Sequence, residues 1–440
     1  MQLLAIAMSL LPQLGRADTI ETFLKAGEKA YDEGRYTDAE ALDRQALEIA
    51  TRLYSDNSAA VAECRNSLAT VELAEGKYRE AEELCQQALQ IWEKLPGTEL
   101  QVAIALGNLG VTLSSQAKFA QAEKFEERSL GILEKLVPPD DDRISAALNN
   151  LGELYNREGQ FERAEPFFQR GIAIREKHSR PNASDTAVLW KGLGDVYQHE
   201  GKYQVAAETL QRSITLTEQT LGSTHPRLAP LLSSLANVYS AEHRYKDARK
   251  LLERVVTISE KPLGPNHPDL GAALSSLALV DFYQHNYRQA AQLQKRALSI
   301  AEASPAASQE IVAIYLNNLG ATLICLREYQ KAEGILRRSV DILDQPSRSD
   351  AQHLGDALAN LGALCSATAR PTEAARYYQL AIEAKERALG ADNPSLIPLL
   401  HVYASASRQT QDYASAEKAE TRAMWIQVRT TLKQQGPPGI

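Results

Sequence analysis

The sequence predicts an all-α fold, a right-handed superhelical solenoid of ten stacked antiparallel helix pairs. Three periodic features carry that reading. An aromatic recurs at Tyr36, Tyr78, Phe119, Phe161, Tyr203, Tyr245, Tyr287, Tyr329 and Tyr413, with Pro371 in the ninth place, in steps of 42 residues except one of 41. Three positions later stands an alanine in every copy: Ala39, Ala81, Ala122, Ala164, Ala206, Ala248, Ala290, Ala332, Ala374 and Ala416. Ten positions before the aromatic comes a leucine, at Leu68, Leu109, Leu151, Leu193, Leu235, Leu277, Leu319 and Leu361.

Each unit reads in order as helix A, a short turn, helix B and a connection. Helix A carries the leucine on its buried face, followed by Ala69, Gly110, Gly152, Gly194, Ala236, Ala278, Gly320 or Gly362. A glycine inside a helix costs about 1 kcal/mol against alanine, so its recurrence at one phase calls for close packing. The expected neighbour is the alanine of helix B, with the aromatic plugging the turn. In helix B a second small or branched residue follows the alanine by seven positions, as at Ala46, Ala88, Ser129, Gly171 and Ala297. An aliphatic comes next, as at Leu47, Leu89, Leu130, Ile172 and Leu298. This is helical spacing, not strand alternation.

The connections include LGSTHPRLA at 221–229, LGPNHPDLG at 263–271 and LGADNPSLI at 389–397. Gly222, Gly264 and Gly390 suit left-handed helix caps. Pro226, Pro268 and Pro394 suit the first position of the next helix A. Four departures, Pro371, Asp281 in place of the helix-A tyrosine, Pro230 and Pro398, read as local softness or bends.

Neither helix of a pair can bury its face alone, so stacking implies a single solenoid over residues 18–433, followed by a flexible tail at 434–440. Residues 1–17 hold an apolar run from Leu3 to Leu14, then Gly15 and Ala17, with no Lys or Arg ahead of the run. They read as an export signal ending before Asp18, which would make the chain periplasmic or secreted. The alternative is an apolar cap on a cytoplasmic chain. No later run approaches the roughly 20 apolar residues of a membrane span.

The Leu-Gly-x-x-Tyr, aromatic-x-x-Ala and Ala-Leu spacings resemble the tetratricopeptide repeat. The 42-residue unit with its Leu-Gly-x-x-His-Pro connection is similar to the kinesin light chain type of array. The resemblance implies a non-enzymatic scaffold or adaptor that binds extended peptides or partner proteins in a concave groove lined by helix A. An alternative is a ligand- or peptide-sensing regulatory module that acts on a separate effector. By the same resemblance Asn108, Asn150, Asn318 and Asn360 are peptide-binding residues. Asn149, Arg157, Lys191, His199, Asn237 and Asn317 stand at neighbouring groove phases. An asparagine can donate to and accept from a peptide backbone; equally, it can bond an adjacent helix and set repeat geometry. The asparagines form two sets, and Arg157, Lys191 and His199 beside the first predict a taste for an acidic segment.

Other chemistry is missing from the chain's motifs. The net charge is −8 and no Lys/Arg cluster occurs, which argues against nucleic acid. No phosphate-binding glycine loop, dinucleotide fingerprint, zinc-helix histidine pair or nucleophile elbow is present. No cofactor, metal or catalytic residue is expected. His243 and His285, one repeat apart, mark a solvent-facing turn. Asp140, Asp141 and Asp142 suit the start of a helix before Ile144. Cys64, Cys85, Cys325 and Cys365 read as small buried fillers, with a Cys325–Cys365 disulfide as the alternative in an exported chain. Oligomeric state is left open. Met424 and Trp425 in the last helix either cap the core or form a dimer surface.

Overall fold

The computed structural model describes residues 16–177, 183–263, 267–303, 309–345 and 351–435. Their twenty α-helices fall into ten A–B pairs. The first six pairs are α1 (Arg16–Asp32) with α2 (Tyr36–Leu53), α3 (Ala59–Ala74) with α4 (Tyr78–Trp92), α5 (Glu99–Ser115) with α6 (Phe119–Leu136), α7 (Asp142–Arg157) with α8 (Phe161–Glu176), α9 (Ala183–His199) with α10 (Tyr203–Leu221), and α11 (Leu228–Ala241) with α12 (Tyr245–Leu263). The remaining four are α13 (Pro268–Tyr283) with α14 (Tyr287–Ala303), α15 (Gln309–Cys325) with α16 (Tyr329–Leu343), α17 (Ala351–Ala367) with α18 (Pro371–Leu389), and α19 (Ile397–Gln409) with α20 (Tyr413–Gln435).

The chain divides into two compact units, Met1–Pro265 and Asn266–Ile440. Inside each, a helix B packs on its own helix A and on the helix A of the following pair. Each unit is thus a solenoid stack. The apolar run at 1–15, Gly264 and residues 436–440 lie outside the described residues.

The A–B turn has one solution in all ten pairs. Gly34, Gly76, Ala117, Gly159, Gly201, His243, His285, Arg327, Ala369 and Gln411 take φ between 57° and 77°. The next residue's N–H then reaches back to a carbonyl five positions earlier, as from Lys77 to Glu72 at 2.9 Å, Gln160 to Tyr155 at 2.8 Å and Arg244 to Tyr239 at 2.8 Å. This left-handed closure satisfies carbonyls that the end of helix A leaves open. His243 and His285 are exposed at this position, as their phase predicted.

Helix B begins at the recurrent aromatic. The ring does not plug the turn: most copies are half-buried, and Tyr78 and Tyr413 are exposed. Pro371 does not soften the ninth pair, because it occupies the first turn of α18, where a missing N–H and a fixed φ suit the helix. The alanines three positions on are all buried.

The helix-A glycines are close-packed, but not against those alanines. A Cβ at Gly152 would sit 2.8 Å from Phe168, one at Gly194 2.7 Å from Leu210, one at Gly320 2.5 Å from Leu336 and one at Gly362 2.6 Å from Tyr378. The partner is the large residue one turn beyond the alanine, whose side chain lies across the neighbouring backbone. The second small position does contact helix A. Where it is serine, Ser129, Ser213 and Ser339 donate to the carbonyls of Ala103, Ala187 and Ala313 at 2.7, 2.6 and 2.7 Å.

The connections depart from expectation in detail. Gly222 (φ 89°, ψ 161°) and Gly390 (φ 87°, ψ 154°) have positive φ but extended ψ. That region is nearly glycine-only and is not the left-handed helical cap. Pro268 opens α13, with His267 Nδ1 accepting from the Asp269 N–H at 3.2 Å. Pro226 instead lies in a turn before α11, and Pro394 opens a short 3₁₀ segment, Pro394–Leu396, before α19. The α-helices therefore start later, which leaves Pro230 and Pro398 in the first turn. First-turn N–H groups have no intrahelical partner, so these prolines forfeit no helical bond. Asp281 is fully buried and accepts from Asn286 Nδ2 at 3.3 Å. Asp141 caps α7, accepting from the Arg143 N–H at 2.9 Å, as the acidic triple suggested.

Within the first unit the stack curves back on itself. Arg227 Nη2 lies 2.6 Å from Asp32 Oδ1, and Pro226 packs by Gly34. The first A–B turn thereby touches the connection ahead of the sixth pair. All four cysteines are free: Cys64, Cys85 and Cys365 are buried, whereas Cys325 is exposed at the end of α15, against the Tyr287 hydroxyl. The filler reading fails there because a helix end faces solvent. Among the described residues no helix is long and apolar enough to cross a membrane.

Candidate functional site

The residues singled out on helix A are mostly half-buried and lie between successive A helices. In the first unit Asn108 Nδ2 donates to Asn66 Oδ1 at 3.1 Å and to Thr70 Oγ1 at 3.4 Å, joining α5 to α3. In the second unit Asn360 Nδ2 donates to Asn317 Oδ1 at 2.8 Å, joining α17 to α15. Both bonds link an asparagine just before the repeat leucine to an asparagine one position earlier in phase on the preceding helix A. Asn318 is half-buried beside Asn317. The two asparagine sets belong to different units.

Asn150 behaves differently. The equivalent earlier position is Gly107, which offers no side chain. Asn150 lies against that glycine and donates to the buried carboxyl of Glu126. Burial drives the Glu126 carboxyl well above the carboxylate range, and the bond from Asn150 only partly opposes this. The neighbouring Asn149 keeps a buried Oδ1 without a hydrogen-bond partner.

Lys191 does not present a free cation. Its Nζ lies 2.6 Å from Asp195 and 3.9 Å from Glu153. Burial would lower it, but those two carboxylates outweigh burial and hold the ammonium above its ordinary value. Arg157 Nη1 donates to Ser115 Oγ at 3.2 Å, and the His199 ring stacks on Phe161 with centroids 4.7 Å apart. Asn237 is exposed. Of the basic residues expected to attract an acidic segment, Lys191 is thus held by two carboxylates, whereas the exposed Arg157 meets only a neutral hydroxyl.

Sequence reasoning missed three features. Asn66 is the first; it stands at the same phase as Asn149 and Asn317 and was readable from the register. The second is a pair of acids, Asp43 and Glu126, in the helix-B position that elsewhere holds Leu210, Leu252 or Leu336. Asp43 accepts from Ser67 Oγ at 2.7 Å, and burial pushes its carboxyl up to about 6 despite that bond. The third is a carboxylate cage around Lys77, whose Nζ lies 2.9, 3.1 and 2.6 Å from Glu40, Glu72 and Glu75. Burial works against ionisation of Glu40, yet hydrogen bonds from Lys77 and Arg44 hold it down at about 2. The three carboxylates could ligate a metal by spacing, but the lysine ammonium stands where the ion would go.

Models of the tetratricopeptide repeat match residues 18–84, 65–135, 145–180, 185–261, 231–303, 269–345 and 354–395. No curated protein matches the chain. Among solved structures, a Rap protein complexed with competence and sporulation factor is 14% identical with a TM-score of 0.56, over 84% of this chain and 99% of its own. The apo form of the quorum sensor NprR from B. thuringiensis gives 14% identity and a TM-score of 0.56 over 84% and 99%. The repeats of a putative kinesin light chain from Podosopora anserina are 25% identical, with a TM-score of 0.40 over 47% and 97%. At such identities the likeness to the Rap protein and NprR is one of fold. With helix pairs in a fixed register and family matches across most of its length, the chain belongs to the tetratricopeptide repeat family.

Proposed function

We propose that the chain is a non-enzymatic interaction scaffold that holds an extended peptide segment of a partner protein along the helix-A face. The observation that carries this reading is the pair of lateral asparagine bonds, Asn108 to Asn66 and Asn360 to Asn317. Each bond uses the amino group of one residue and the carbonyl of the other. What is left over is one amide donor and one amide acceptor, fixed in place by the partner helix. A peptide backbone offers the complementary C=O and N–H, so such a pair can grip main chain whatever the side chains. The lateral bond also sets repeat geometry, and holding the amides in one orientation lowers the entropy cost of binding. With Lys191 held by Asp195 and Glu153, this reading rests on main-chain capture and not on an acidic ligand.

A second reading makes the array a peptide sensor for a separate effector. It is favoured by the likeness, over 84% of this chain, to a Rap protein complexed with competence and sporulation factor and to a quorum sensor.

The test is a peptide array probed with the full chain. Asn66→Ala with Asn108→Ala, and separately Asn317→Ala with Asn360→Ala, should each weaken captured peptides about tenfold, the loss of one or two net hydrogen bonds. Unchanged capture by both double variants would overturn the groove reading. If a captured peptide then alters binding of a second protein, the sensor reading gains over the simple scaffold.

A further inference from the structure

In the second unit each of α14, α16 and α18 is covered by the helix A that follows it, whereas among the described residues no helix lies on the outer face of α20. The C-terminal half of that face is apolar. Met424, Trp425, Val428 and Leu432 are 62%, 61%, 53% and 63% exposed, at the spacing of one helical stripe. The N-terminal half of the same face is hollow. An open cleft of about 540 Å³ is lined by Asp392, Ala414, Glu417, Lys418, Thr421 and Trp425. Knobs and hollow therefore adjoin on one helix, with Trp425 at the boundary between them.

We propose that α20 pairs antiparallel with α20 of a second copy of this chain, about a two-fold axis near Ala423, so that the knobs of each copy fill the cleft of the other. An isologous interface needs a surface that complements itself when reversed, and a helix with knobs at one end and a hollow at the other meets that need. In this register Trp425 faces Thr421, Val428 lies on the aliphatic stem of Lys418, and Leu432 enters above Ala414. Glu417 then stands opposite Arg429, whose guanidinium lies over Trp425 and already pairs with Asp392 of its own chain, so Glu417 of the second copy would extend that ion pair across the rim. The four apolar side chains expose on the order of 450 Å² per copy, within the roughly 300–600 Å² of the largest, often functional, apolar patch on a monomer. Doubled and given a polar rim, that area reaches the lower end of the roughly 1,200–2,000 Å² of specific interfaces.

The experiment is sedimentation velocity with light scattering on the full chain from low to high micromolar concentration, where a two-copy mass is expected. Trp425→Glu or Val428→Glu, both on exposed side chains, should raise the dimer dissociation constant by roughly 30-fold or more with an unchanged melting temperature. The sharper arm uses charge. Glu417→Arg alone and Arg429→Glu alone should each be monomeric, because like charges meet at both ends of the interface. An equimolar mixture of the two should recover the two-copy mass. A chain that stays monomeric throughout, a dimer indifferent to Trp425→Glu, or a mixture that fails to pair would each overturn the proposal. So would a dimer abolished by Leu10→Glu, which would put the apolar run at 1–15 in the cleft instead.

Discussion

Asp43 and Glu126 are the residues at which this protein departs furthest from its own pattern. Each is a carboxyl buried in the slot where three other copies place leucine, and each has one identified hydrogen-bond donor, Ser67 or Asn150. Their folded carboxyls are raised above the ordinary range near 4, so the folded chain keeps protons that the unfolded chain releases. The sign follows: these groups favour folding most below about pH 4, and for Asp43 that contribution is lost as pH rises to about 6. Asp43→Asn keeps the shape and accepts from Ser67 without ionising. It should raise stability at pH 7.5 by about 2–3 kcal/mol, with a difference that shrinks towards zero near pH 4. Thermal melts at the two pH values check this, and equal effects at both would refute it. Asn150→Ala, by contrast, should lower the melting temperature, because Asn150 is the donor that reaches the Glu126 carboxyl. The sequence marked both acids as out of place against Leu210, Leu252 and Leu336. It could not disclose their donors, because Ser67 lies 24 positions from Asp43 and only the packed pair brings them together.

At the level of the helix pair, the 42-residue register was fully legible, because aromatic, alanine and leucine phases repeat in the linear chain. The turn between the helices was half legible. Four copies place glycine at the positive-φ position, but Ala117, His243, His285, Arg327, Ala369 and Gln411 hold the same conformation at the other six. The back-bond to helix A imposes it there against a steric penalty of roughly 1–2 kcal/mol per non-glycine residue. Ala117 and Ala369 have no polar side-chain group with which to offset that penalty. Ala117→Gly and Ala369→Gly should therefore each raise stability by about 1 kcal/mol, measured by urea unfolding. Gly159→Ala should lower it by a similar amount. Helix-A packing was mis-assigned because periodicity reports which positions are small, not which neighbour fills the space. The Gly152–Phe168 and Gly194–Leu210 contacts set the volume rule for each pair: a large helix-B side chain requires a bare backbone opposite it.

For the molecule as a whole, the all-helical repeat fold could be read directly, whereas the partition into two compact units could not, since the register runs through Pro265 without a break in phase. Within the second unit each helix pair leans only on its neighbours, which makes damage local. Leu361 is buried in a cluster with Leu319, Leu336 and Leu364, and Leu361→Ala should cost about 2–4 kcal/mol. Hydrogen exchange should show protection falling most in α15 to α18 and less in α13, and a uniform loss across the unit would contradict this account. The first unit is built otherwise. Its opening hairpin is tethered to the fifth connection through Arg227 and Asp32, residues 195 positions apart. An early winding of the first unit is thus latched to a later one, so peeling α1 and α2 away from the fifth connection must first break that clasp.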